Sequence, residues 1–124
     1  MKINRIAVVD DDELIRVLFQ IKLTRMGYLV ESFSNGCEAV AFYSSNSLPE
    51  LIITDIMMPL MGGIELAGCI KEINEDAIII GMTGGDYDPE LNLNSVFFLL
   101  LEKNEPIDQL LKKIFQHLDK ANLM

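Results

Sequence analysis

The sequence predicts an α/β fold, a doubly wound parallel sheet with helices on both faces, and three observations carry that expectation. Several short apolar runs, Leu51-Ile52-Ile53-Thr54 the clearest, are continuous rather than alternating, as strands buried on both faces are. Between them lie segments with apolar residues at helical spacing, so strand and helix alternate along the chain. Four of the runs also stop at a polar, chemically capable residue. That is the sheet edge at which open α/β sheets bind their ligands.

Ile6-Ala7-Val8-Val9 is the first strand and runs into Asp10-Asp11-Asp12, of which Asp12 suits a helix N-cap. The helix expected over Glu13 to Met26 places Leu14, Leu18 and Ile21 against the sheet, with Ile15 and Val17 widening the stripe. Gly27 fits the left-handed position that ends it. Tyr28 to Ser32 reads as a short strand near the sheet edge. Ser34-Asn35-Gly36 reads as a turn, and Glu38 to Tyr43 as a second helix closed by Ser44-Ser45-Asn46.

Leu51 to Asp55 follows as the central strand, and Pro59 then forces a loop. Ile64, Leu66, Ala67 and Ile70 line a third helix. Ala77 to Met82 is a strand ending at Thr83. The turn-rich Gly84 to Pro89 and a turn or two of helix before Asn94 come next. Val96 to Leu101 is the last strand, with Lys103 just beyond it. Ile107, Leu110, Leu111, Ile114 and Leu118 mark a final helix. Right-handed crossovers in the order 2-1-3-4-5 set the strands of Asp10 and Asp55 side by side. With no repeat and no linker, residues 1–124 are expected to form one domain.

At 124 residues, half of them hydrophobic, the chain is long enough to bury a core and is neither disordered nor fibrous. No apolar run approaches the ~20 residues that span a bilayer, and Asp10 interrupts anything resembling a signal peptide, so a cytoplasmic protein is expected. A net charge of −9 argues against direct nucleic-acid binding. Cys37 and Cys69 lack metal-ligand spacing and read as buried or half-buried free thiols. His117, the one histidine, sits in the last helix without a catalytic companion and reads as surface. Met57, Met58 and Met61 read as loop packing.

Asp10, Asp11, Asp55, Thr83 and Lys103 arrive in that order at strand ends, and together they resemble the receiver domain of two-component response regulators. The resemblance runs from about Ile3 to Leu118 and implies the flavodoxin-like arrangement. Three converging carboxylates repel one another unless a cation joins them, and a hard ion such as Mg²⁺ suits oxygen ligands. The resemblance implies Mg²⁺ bound directly by Asp11 and Asp55, through water by Asp10, and by the Met57 carbonyl. It further implies that Asp55 accepts a phosphoryl group from a sensor histidine kinase or phosphotransfer protein. Thr83 and Lys103 would then contact phosphoryl oxygens. Slow self-dephosphorylation is expected, with Gly84 and Gly85 leaving water a path.

Taken singly, Thr83 is an ordinary turn hydroxyl and Lys103 a solvated charge. Two other functions therefore stand beside the phospho-acceptor. One is a pseudo-receiver that is never phosphorylated and serves only as an interaction module. The other is a haloacid-dehalogenase-type phosphohydrolase, whose nucleophile motif Asp10-x-Asp12 resembles. Against that one, Leu14 departs from the expected small or β-branched residue, and no room remains for cap insertions.

The chain also departs from the receiver pattern itself. Asn104 and Glu105 follow Lys103 where the family has proline and an aromatic residue, so a trans peptide is expected there. Leu100 occupies the aromatic switch position. Gly62 replaces the customary aspartate before Gly63, and the segment from Thr83 to Lys103 is short.

Overall fold

A computed structural model of the protein describes residues 2–84 and 96–124. Five parallel strands form one sheet: β1 (Arg5–Val9), β2 (Leu29–Phe33), β3 (Leu51–Asp55), β4 (Ile78–Thr83) and β5 (Leu99–Glu102), in the order β2-β1-β3-β4-β5. Four helices are seen among the described residues: α1 (Glu13–Arg25), α2 (Gly36–Tyr43), α3 (Gly63–Ile73) and α4 (Ile107–Lys120). The expected doubly wound arrangement and strand order are both observed. The short helix expected before Asn94 lies outside the described residues.

The central strands are buried on both faces, and each face has its own core. On one, Ile6, Val8, Ile53 and Ile80 pack under Phe19 of α1 and Ile114 of α4. On the other, Ala7, Ile52 and Ile79 meet Ala39 of α2 with Leu66 and Ile70 of α3. Alternation along each strand sends successive side chains to opposite layers, which is why the runs contain no polar break.

The α1 stripe differs from expectation. Phe19 and Leu23 are its buried residues, and Ile15 and Leu18 pack beside them. Leu14 is 66% exposed, and Val17 and Ile21 are exposed as well. Apolar residues cover most of this helix, so spacing permits two stripes; the one carrying the phenylalanine removes more apolar area from water and turns inward. Gly27 does take the left-handed conformation after the helix, at φ 98°.

Smaller corrections follow the same logic. Asn35 is the N-cap of α2, accepting from the Glu38 amide at 3.0 Å, so the helix begins at Gly36 rather than Glu38. Strand β5 begins at Leu99, not Val96. Its register starts at Ile80↔Leu99, and before that only the Phe98 amide reaches across, to Ile79. Cys37 is exposed, whereas Cys69 is half-buried as expected. Met58 and Met61 pack against the second core, but Met57 is exposed. His117 is exposed, with Nδ1 against the Lys113 carbonyl.

Candidate functional site

Register brings the polar strand ends together. Val9 pairs with Thr54 and Asp55 with Met82, so Asp10 emerges beside Asp55, and Thr83 lies one residue further on the next strand. Thr83 in turn pairs with Glu102, and the Lys103 amide donates to the Thr83 carbonyl at 2.8 Å. Asp10, Asp11, Asp55, Thr83 and Lys103 thus meet at one sheet edge.

The β1–α1 turn is the most constrained part of this edge. Asp10 is fully buried, and its amide donates to the Phe33 carbonyl at 3.1 Å. Its Oδ1 accepts from the Asp12 amide at 2.9 Å, and its carbonyl accepts from Arg16 Nη1 at 2.7 Å. Asp12 caps α1 as expected, accepting from the Leu14 and Ile15 amides. Asp11, between them, is exposed.

On β3, Asp55 Oδ1 accepts from the Met57 amide at 3.3 Å, and the Thr54 hydroxyl donates to the Asp55 carbonyl at 2.9 Å. The chain then turns back under the strand. A Cβ on Gly63 would sit 2.3 Å from the Asp55 carbonyl oxygen, so only glycine lets α3 start this close. In the same loop Leu60 holds φ 69°, in the left-handed region that bulky residues avoid, and is largely exposed.

Lys103 reaches both buried carboxylates. Its Nζ lies 2.7 Å from Asp10 Oδ2 and 2.9 Å from Asp55 Oδ2. Neither Asn104 nor Glu105 prevents this, and no cis peptide occurs among the described residues. Burial pushes the Asp55 carboxyl above the usual carboxylate range and Asp10's charge adds to that, while the Lys103 ammonium pulls the other way without cancelling it. Burial would lower Lys103, but the two carboxylates overcome it and hold its ammonium above the usual lysine value.

Carboxylate oxygens of Asp10, Asp11 and Asp55 all lie within 4.8 Å of one another, a spacing one hard cation can bridge. Asp10 Oδ2 is buried with the lysine close but out of line for a hydrogen bond, leaving acceptor capacity in the pocket. The residues present fit a Mg²⁺-sized, oxygen-seeking ion. Arg16 is the contributor that residue patterns did not suggest. Its one sequence signal is a cation in the first turn of a helix, where the dipole disfavours it.

The family model for the response regulator receiver domain matches residues 6–115. The chain is 31% identical over 106 residues to the autoinducer 1 sensor kinase/phosphatase LuxN of Vibrio campbellii, covering 85% of this chain and 12% of that protein. It is 34% identical over 82 residues to the response regulator MprA of a Mycobacterium species, covering 66% of this chain and 35% of that one. The chain therefore spans about an eighth to a third of the length of these curated relatives.

Among solved structures, the response regulator TrrA of Thermotoga maritima in complex with Mg²⁺-BeF superposes with TM-score 0.77 at 35% identity, covering 92% of this chain and 98% of that one. A CheY-like receiver domain protein of Methanospirillum hungatei gives TM-score 0.82 at 30% identity, covering 98% of each. The chain belongs to the response regulator receiver domain family. No helix among the described residues is long and apolar enough to cross a membrane.

Proposed function

We propose that the protein is a phospho-accepting receiver that takes a phosphoryl group onto Asp55 and thereby switches an output surface. The donor would be a phosphohistidine of a sensor kinase or phosphotransfer protein. An Asp55 oxygen attacks phosphorus, the phosphorus–nitrogen bond breaks, and the imidazole leaves as an acyl phosphate forms. One observation carries this reading. Three carboxylates and the Lys103 ammonium converge on a pocket in which Asp55 is buried, poorly solvated and held at a strand end. Mg²⁺ held by Asp10, Asp11, Asp55 and the Met57 carbonyl would neutralise charge on the incoming phosphoryl group. The likeness to a relative solved with Mg²⁺-BeF supports that cofactor, and the likeness to a sensor kinase/phosphatase supports the donor class.

After transfer, Lys103 turns from the carboxylates to a phosphoryl oxygen, and the Thr83 hydroxyl donates to another. Movement of Thr83 reaches the outer strand through packing. Gly81 lies two residues before it on the same sheet face, and a Cβ there would come within 2.8 Å of Leu100 and 3.0 Å of Phe97. Both side chains are thus seated on the β4 backbone, where a shift of the strand displaces them.

The test is intact-mass measurement after incubation with acetyl phosphate and Mg²⁺. The wild type gains one labile phosphoryl group and Asp55→Asn gains none. No gain in the wild type marks an unphosphorylated interaction module. Turnover of a phosphate monoester that survives Asp55→Asn but not Asp10→Asn marks a phosphohydrolase using Asp10. Either result overturns the proposal.

A further inference from the structure

We propose that Arg16 is a positioning residue for the cation pocket: its guanidinium, on the Asp10 carbonyl, holds the β1–α1 turn in the shape that presents Asp10 and Asp11 to one divalent ion. This rests on the phospho-acceptor reading above. Arg16 engages the turn twice. Its backbone amide donates to the Asp12 carbonyl at 3.0 Å, the first bond of the helix, and Nη1 returns six residues to the Asp10 carbonyl at 2.7 Å. Asp10 has no exposed surface with Arg16 in place, so removing the guanidinium leaves its carbonyl either without a donor, which is disfavoured, or served by a water that orients it less strictly.

The other tethers of Asp10 explain why this one matters. The Phe33 carbonyl fixes the amide, and the Asp12 amide fixes Oδ1 in a turn that spans the Asp10–Asp11 peptide, but neither bonds the carbonyl of that peptide. The bond to Arg16 pins that peptide, and the peptide sets where the Asp11 carboxylate points. Asp11 is exposed and has no other restraint of this kind among the described residues. The reach favours arginine, whose planar fork extends past the end of a lysine stem. Arg16 touches neither reacting group; it acts through the turn.

Charge and position make opposite forecasts. A cation near the pocket repels Mg²⁺, so an arginine acting by charge would weaken binding and its removal would tighten it. An arginine acting by position strengthens binding. Titrating Mg²⁺ into the full chain by calorimetry, with thermal melts to verify folding, separates the two. Arg16→Met is expected to raise Kd about five-fold, equivalent to roughly 1 kcal/mol. Arg16→Lys, which keeps the charge but not the fork, is expected to lie between, about two-fold weaker than wild type. Should Arg16→Met not fold, Arg16→Lys carries the test, with faster hydrogen exchange at the Asp12 amide as its second readout. Unchanged or tighter binding by Arg16→Met, or Arg16→Lys indistinguishable from wild type in both readouts, overturns the inference alone. A wild type that takes no Mg²⁺ overturns the reading of the site and this inference with it.

Discussion

The two sides of the pocket are built to different tolerances. On the β1–α1 side Asp10 is fixed through its amide, its carbonyl and one carboxylate oxygen, with every contact at 3.1 Å or less. The β5 side supplies Lys103 from a segment that departs from the family pattern, anchored by one backbone bond to Thr83 and by an ion pair between Glu105 and Lys113. Yet Lys103 arrives between the same two carboxylates. A carboxylate that must share an ion cannot wander, because its reach is two bonds. A lysine with a four-carbon stem absorbs a changed backbone and still delivers its charge. Substitutions beside Lys103 are therefore expected to cost less than substitutions beneath the aspartates.

Gly63→Ala is the most damaging way to test that contrast. The new Cβ meets the Asp55 carbonyl at 2.3 Å and the Ile56 Cα at 2.9 Å, both backbone atoms. Overpacking of this kind costs about 2 kcal/mol. Chemical denaturation is expected to report that loss, together with weaker Mg²⁺ binding. Lys103→Met is expected to work in the other direction on the metal, since the ammonium occupies the oxygens a cation needs. Calorimetry should show Mg²⁺ binding about ten-fold tighter, with phosphoryl uptake reduced.

Removing Asp55's charge sharpens the comparison by pH. Burial raises its pKa in the folded state above the unfolded value, so the folded protein binds that proton more tightly. Above the folded pKa the buried charge weighs against folding, and the penalty is relieved as pH falls through that pKa. Metal-free Asp55→Asn should therefore melt above wild type at neutral pH, with the gap closing as the solution is acidified. A gap that widens on acidification contradicts the assigned cause. The smallest effect is expected from Leu14→Ser. This residue is 66% exposed, so thermal stability should change by no more than about 0.5 kcal/mol.

Those outcomes separate what residue patterns can and cannot reveal. The strand ends were legible because a buried strand rarely carries a charged or unsatisfied polar side chain before it reaches the edge, so Asp10, Asp55 and Thr83 announced themselves. Alternation and handedness predicted a parallel doubly wound sheet, and the receiver resemblance supplied the particular strand order. The α1 face was not legible, because Leu14, Ile15, Val17, Leu18, Phe19 and Ile21 spread over more than half of the helix circumference and only packing against the sheet selects a side. The start of β5 was hidden for a related reason. Val96 to Leu101 is uniformly apolar, so nothing in the residues marks Leu99 as the start of the ladder. Arg16 was invisible since its partner is a backbone carbonyl, which no residue pattern encodes.

The central claim is that Asp11 and Asp55 directly, and Asp10 through water, would hold one divalent ion while Asp55 carries the phosphoryl group. Its most direct test is a crystal structure grown with Mg²⁺ and beryllium fluoride. The account predicts a metal at Asp11 and Asp55 with Asp10 reaching it through water, a beryllium fluoride adduct on the Asp55 carboxylate, and Lys103 Nζ moved from Asp10 Oδ2 to a fluorine. An unmodified Asp55 with Lys103 still bridging the two carboxylates would contradict it.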